Sequence, residues 1–101
     1  MKVDVEGHEP EVLRGAEGVL LRDHPSLLIE VEERHRVGSV EESARFLAHM
    51  GYMGFFLQRG RLLPIARFEL EKHQDPASPE TYVRNFVFVH SDRLGDIKRL
   101  V

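Results

Sequence analysis

The spacing of apolar and polar positions changes several times along this chain, and each change marks an element. Met1 to Val5 alternates as a short β-strand does, with Val3 and Val5 on one face, and Gly7 then permits a sharp turn. Pro10 suits the first turn of a helix, where its missing N–H costs nothing. Val12, Leu13, Ala16, Val19 and Leu20 follow at helical spacing. Gly15 and Gly18 weaken that helix by roughly 1 kcal/mol each relative to alanine, and the role expected of them is close approach to a sheet. His24-Pro25 ends the helix.

Ser26 to Glu32 is a nearly continuous apolar run closed by acids, the pattern of a strand buried on both faces of a parallel sheet. Ser39-Val40-Glu41-Glu42 has the S-x-x-E form of a capping box. The helix behind it is expected to bury Val40, Ala44, Leu47 and Met50, with Gly51 as its C-cap. Tyr52 to Leu57 reads as a third strand, and Arg59-Gly60 as a tight turn into a fourth, Arg61 to Ala66. From Arg67 to Tyr82 the pattern breaks down, with Asp75 to Pro79 as a surface loop. Val83 to His90 is a fifth strand, and Asp92 to Leu100 a short terminal helix. Two consecutive strand–helix–strand steps imply an α/β fold with a parallel sheet and right-handed crossovers.

Composition bounds the function. A chain of 101 residues is a single domain at most and short for a two-substrate enzyme. No apolar run approaches the roughly 20 residues that span a bilayer. Acids interrupt the N-terminus, Met1-Lys2-Val3-Asp4-Val5-Glu6, so it lacks the apolar stretch of a secretory signal. With no cysteine, disulfides, thiolate nucleophiles and Cys-ligated zinc are excluded, and the cytoplasm is the expected location. A net charge of −3 gives no basic surface for nucleic acid. Phe46, Tyr52, Phe55, Phe56, Phe86 and Phe88 therefore read as core, not as a base-stacking platform. The acids are uneven: residues 1–42 hold 11 acids and 5 bases.

Chemistry is densest in the segment from Lys2 to Ala16. An acid at the carboxyl end of a strand, then a glycine turn and a helix, faces the crevice where α/β proteins bind ligands. Asp4 and Glu6 could equally be solvated strand ends. The segment resembles the signature of the FkbM-family methyltransferases, Lys-apolar-Asp-apolar-Glu-Gly-x-Glu running into an apolar, glycine-containing helix. The matching residues are Lys2, Asp4, Glu6, Gly7, Glu9, Val12, Leu13, Gly15 and Ala16. Leu28-Ile29-Glu30-Val31 is similar to the family's next strand, and Asn85-Phe86-Val87-Phe88 to its late Asn-aromatic-apolar-Phe strand. In order and spacing the resemblance covers nearly the whole chain.

That resemblance implies the fold of most S-adenosylmethionine-dependent methyltransferases: a seven-stranded sheet, parallel except for a last strand inserted between two others. Met1–Val5 would be its fourth strand, Ser26–Glu32 its fifth, Tyr52–Leu57 its sixth and Val83–His90 its antiparallel seventh. Arg61–Ala66 would add a hairpin partner. The expectation is a partial Rossmann-like sheet, mostly parallel, with helices on the faces. Such folds open with a glycine-rich turn for the methionine part of the cofactor and an acid for its ribose. This chain has eight glycines and no G-x-G pair. Residues 1–101 are therefore expected to be the C-terminal half of a methyltransferase domain, without the N-terminal cofactor-binding half, and inactive alone.

The resemblance implies S-adenosylmethionine as cofactor of the complete protein and a hydroxyl acceptor on a sugar, glycolipid or polyketide. Asp4, Glu6, His8 and Glu30 are the candidates for taking the hydroxyl proton or holding the acceptor. Parallel neighbours would bring Asp4, Glu30 and His8 together, and carboxylates with an imidazole can ligate a divalent metal. Charged strand ends in water, or an Asp4–Lys or Glu30–Arg pair, are favoured over that metal. Two other functions stand as alternatives: a non-catalytic small α/β binding module, and a metal-dependent enzyme using the Asp4 and Glu30 carboxylates. His24, His35, His49, His73 and His90 are isolated in sequence, with no H-E-x-x-H and no nucleophile elbow. Gly51-Tyr52-Met53-Gly54 has the G-x-x-G form of an RNA-binding loop but joins a helix to a strand. Met1–Val5, as an unpaired edge, is expected to make a homodimer with its own copy.

Overall fold

The computed structural model describes residues 2–3, 8–33 and 38–96. Its strands are β1 (Lys2–Val3), β2 (Leu27–Glu30), β3 (Tyr52–Gln58), β4 (Arg61–Pro64) and β5 (Asn85–His90). Its helices are α1 (Glu9–Gly15), α2 (Glu17–Asp23), α3 (Ser39–Ala48) and the single turn α4 (Leu70–His73), with 3-10 turns at Ile65–Arg67, Pro79–Thr81 and Ser91–Asp96. The strands form one sheet in the order β1-β2-β5-β3-β4.

The α/β class holds, but the expectation of a mostly parallel sheet does not. Among the described residues only β1 and β2 pair in parallel; β2–β5, β5–β3 and β3–β4 are antiparallel. The cause is the place of β5. It runs against β2 and β3 and lies between them, so these two co-directional strands never touch. The ladder also makes β2 shorter than Ser26–Glu32, although one further bond, Val31 N–H to the Arg84 carbonyl at 2.8 Å, extends its far end.

A row of apolar side chains crosses the sheet through paired positions. Val3 lies beside Ile29, Ile29 beside Phe86, and Phe86 beside Phe56. All four are buried. Each such residue contributes about 1.5–3 kcal/mol by leaving water. Leu13, Leu20, Val40 and Leu47 join the same core from the helices. α1 packs on α3, and α3 on β3. One row further along, Phe88 lies opposite Gly54, where an added β-carbon would stand 2.7 Å from the Phe88 ring. That close approach is why β3 carries a glycine there. Arg59 (φ 51°) and Gly60 (φ 75°) are both left-handed, as a two-residue hairpin turn requires.

Local expectations are corrected at three places. The first helix is two, because the chain departs from helical geometry at Ala16 (φ −94°, ψ 4°). Gly15 and Gly18 approach nothing: both are exposed, with no atom within 4 Å of a built β-carbon. They weaken the helix on its solvent side, which suits a break there. The capping box at Ser39 does not form. Ser39 lies inside α3, its hydroxyl buried without a partner, and Gly38 (φ 81°) is the N-cap. Of the terminal helix expected over Asp92–Leu100, the described part, to Asp96, lies in a 3-10 segment kinked at Arg93, and the rest lies outside the described residues.

Candidate functional site

The carboxyl ends of β1 and β2 lie side by side, since Val3 pairs with Ile29 in parallel. Asp4 and Glu30 are the residues that follow these partners in sequence. Of the expected site residues, Asp4 and Glu6 lie outside the described residues. Glu30 is half-buried and pairs with Asn85. His8 is exposed at the N-cap of α1, where its side chain makes no cap bond and its carbonyl accepts the Val12 N–H at 3.1 Å. Glu32 is buried as β2 ends, at 6% exposure.

Glu33, which the sequence did not single out, organises this end of the sheet. Its carboxylate accepts the N–H of Gly38 at 2.8 Å and that of Val40 at 2.9 Å. It thus occupies the N-terminus of α3, where an anion meets both free donors and the positive end of the helix dipole. Its own N–H donates to Gln74 Oε1 at 2.8 Å. The Gln74 amide in turn donates to the carbonyls of Val31 (2.8 Å) and Val83 (2.9 Å), standing in for a missing strand neighbour. Beside Glu33 opens a cleft of about 360 Å³, walled mainly by Val40, Ala44, Ile65, Phe68 and Leu70. It is mainly apolar, with two acids, Glu33 and Glu41, at its rim. Nothing in the sequence marks Glu33 or Gln74, because their side chains meet backbone atoms, which every residue carries.

His73 is likewise internal. Its Nδ1 accepts the Glu69 N–H at 2.8 Å, and its ring lies against Phe56 and Phe68. Burial, with Lys72 adding to it, holds this imidazole below its ordinary range. At the opposite end of the sheet, His24 and His90 stack with ring centroids 3.5 Å apart, and Asp92 lies against both. Tyr52 meets the His90 ring edge-on and donates its hydroxyl proton to the Pro25 carbonyl at 2.7 Å, its pKa raised by burial.

The family model described as the methyltransferase FkbM domain matches residues 1–55. This chain belongs to the FkbM methyltransferase family. The matched stretch runs from β1 through α3 into β3, so it contains both carboxyl strand ends. Searches of curated proteins and of solved structures each found no match. No helix among the described residues is long and apolar enough to cross a membrane.

The described residues do not fit a complete S-adenosylmethionine site. Such a site needs free backbone N–H groups at a glycine turn between strand and helix. Gly38 has that position after β2, yet its N–H and that of Val40 are taken by Glu33. Gly15 and Gly18 lie in helices, and Gly51 (φ 88°) turns from a helix into a strand.

Proposed function

We propose that this FkbM-family chain supplies the acceptor side of an O-methyltransferase, and that alone it is inactive. The observation that carries the reading is the family match over residues 1–55, which includes the β1 and β2 strand ends. The cofactor of the complete enzyme is S-adenosylmethionine, bound by a half outside residues 1–101. The acceptor is a hydroxyl on a sugar, glycolipid or polyketide. Asp4, Glu6, His8 and Glu30 are the groups proposed to hold that hydroxyl and receive its proton. A base contributes most when it is already within hydrogen-bond reach of the proton it takes. The rigid parallel register before Asp4 and Glu30 favours such reach. The apolar cleft beside Glu33 suits a lipid or polyketide portion of the acceptor.

Isothermal titration of the 101-residue chain with S-adenosylmethionine is expected to show no binding in the micromolar range. Micromolar binding would overturn the reading of an incomplete site. When the chain is joined to a G-x-G cofactor-binding half, Asp4→Asn is expected to lower turnover strongly while leaving the melting temperature unchanged. Near-normal turnover would return Asp4 to the role of a solvated strand end.

A further inference from the structure

We propose that His24, His90 and Asp92 form a binding site for a zinc-class transition-metal ion, at the end of the sheet opposite Glu30 and Glu33. Three separate elements deliver the three residues: the C-cap of α2, the last position of β5, and the 3-10 turn that follows it. Each offers one ligand atom, and these atoms all lie within 4.8 Å of one another. His24 Nδ1 stands 3.2 Å from Asp92 Oδ2, and His90 Nδ1 stands 3.7 Å from the same oxygen. A tetrahedral ion with bonds of about 2.0–2.1 Å sets its ligand atoms about 3.3 Å apart. Both separations from Asp92 are therefore close to those of a coordination shell, and the two imidazoles lie within 4.8 Å of each other. Two imidazoles and a carboxylate suit zinc and its neighbours, not magnesium or calcium, which prefer an all-oxygen shell.

The surroundings fix His90 and leave His24 and Asp92 adjustable. His90 is buried, with Tyr52 at its edge and the Gly51 backbone against Nε2: a β-carbon on Gly51 would stand 2.8 Å away. Its Nδ1 accepts the Asp92 N–H at 3.1 Å, so this nitrogen carries a lone pair, and a metal would take it in place of that N–H. His24 holds a left-handed backbone (φ 48°, ψ 46°) that a β-carbon disfavours, and its side chain is 28% exposed. The rings are stacked within 3° of parallel, so one ion cannot lie in both ring planes. His24 is the ring free to turn. For Nδ1 to take the metal, the neutral ring carries its proton on Nε2. Asp92, 69% exposed, leaves the remaining position to water. The ion would tie the end of α2 to the end of β5, a structural role independent of methyl transfer.

The test is a titration of the full chain with Co²⁺, read by visible d–d absorption, beside thermal melts with Zn²⁺ and with Mg²⁺. Co²⁺ is expected to give tetrahedral bands at one equivalent. Zn²⁺ at a hundredfold excess over Kd is expected to raise Tm by roughly 10 °C or more, and Mg²⁺ to leave it unchanged. His24→Ala and Asp92→Asn alter partly exposed side chains and keep the fold. Each should weaken Zn²⁺ binding at least tenfold and abolish the cobalt bands. Wild-type protein without bands or a zinc shift would overturn the proposal. So would bands that survive in both variants, because another histidine would then be the ligand.

Discussion

Removing the Glu33 carboxylate should unseat α3, whereas removing the Ser39 hydroxyl should not. The Glu33 oxygens take two N–H groups at the start of α3. Loss of a helix cap costs about 0.5–2 kcal/mol, and the charge at the positive helix end adds about 0.3–1 kcal/mol. Glu33→Ala should therefore destabilise the chain by about 2 kcal/mol. For a domain of this size that is a fall in Tm of roughly 10 °C. Glu33→Gln keeps one acceptor oxygen and should lose about half as much. Ser39 is fully buried and its hydroxyl has no partner. A buried unsatisfied hydroxyl costs about 1 kcal/mol or more, and alanine is the better helix former. Ser39→Ala should thus leave Tm unchanged or raise it by a few degrees. Urea and thermal melts followed by circular dichroism at 222 nm measure both. If Ser39→Ala costs about 1 kcal/mol, as loss of a capping box would, and Glu33→Ala is neutral, the assignment of Glu33 as the cap is wrong.

Gly51→Ala should cost about 2 kcal/mol or more, since it adds a left-handed alanine and sets a β-carbon 2.8 Å from His90 Nε2; denaturant midpoints check it. Gln74→Leu should cost about 3 kcal/mol, because the Val31 and Val83 carbonyls and the Glu33 N–H all lose their partner; a neutral result would mean water replaces the amide. Burial lowers the folded-state pKa of His73 from its ordinary 6.5, so the unfolded chain takes up this proton first. Its contribution should be complete above about pH 6.5 and decline as pH falls below it. Urea midpoints between pH 8 and 5 should fall more steeply in the wild type than in His73→Gln. β1 stands at the edge of the sheet, and pairing of Met1–Val5 with its copy should give a dimer at tens of micromolar; a clean monomer by sedimentation equilibrium counts against that assembly.

What the sequence disclosed depended on how local the cause was. β3, β4 and the hairpin turn between them follow from alternation and the Arg59-Gly60 pair, interactions between near neighbours in the chain. α3 is legible from its apolar stripe, with Val40 and Leu47 buried as expected. Its cap is not, because Ser39 with Glu42 matches a local motif while the carboxylate that binds comes from Glu33, and Glu42 turns to Arg14 at 3.1 Å. Strand direction could be read, but neighbourhood could not: strand–helix–strand steps make β2 and β3 co-directional without saying that β5 lies between them. The FkbM resemblance supplied that insertion, and the pairing of β5 with β2 and β3 agrees with it. His24 and His90, each isolated in sequence, become a stacked pair only because α2 ends where β5 ends.

The central place of β5 has a consequence for the order in which the chain can become a protein. The β3–β4 hairpin closes locally, on a time scale of about 1–10 μs. The β1–β2 unit with its helices also draws on nearby residues. Neither can complete a sheet, because each waits for the same partner, and that partner is made last among the described strands. Until residues 85–90 leave the ribosome, β2 and β3 both display unpaired edges, the state in which nascent chains associate wrongly. When β5 arrives it joins two preformed pieces in one step. A ribosome stalled after Tyr82 should therefore hold a protease-sensitive chain, and its release through His90 should convert two fragments into one cooperative domain.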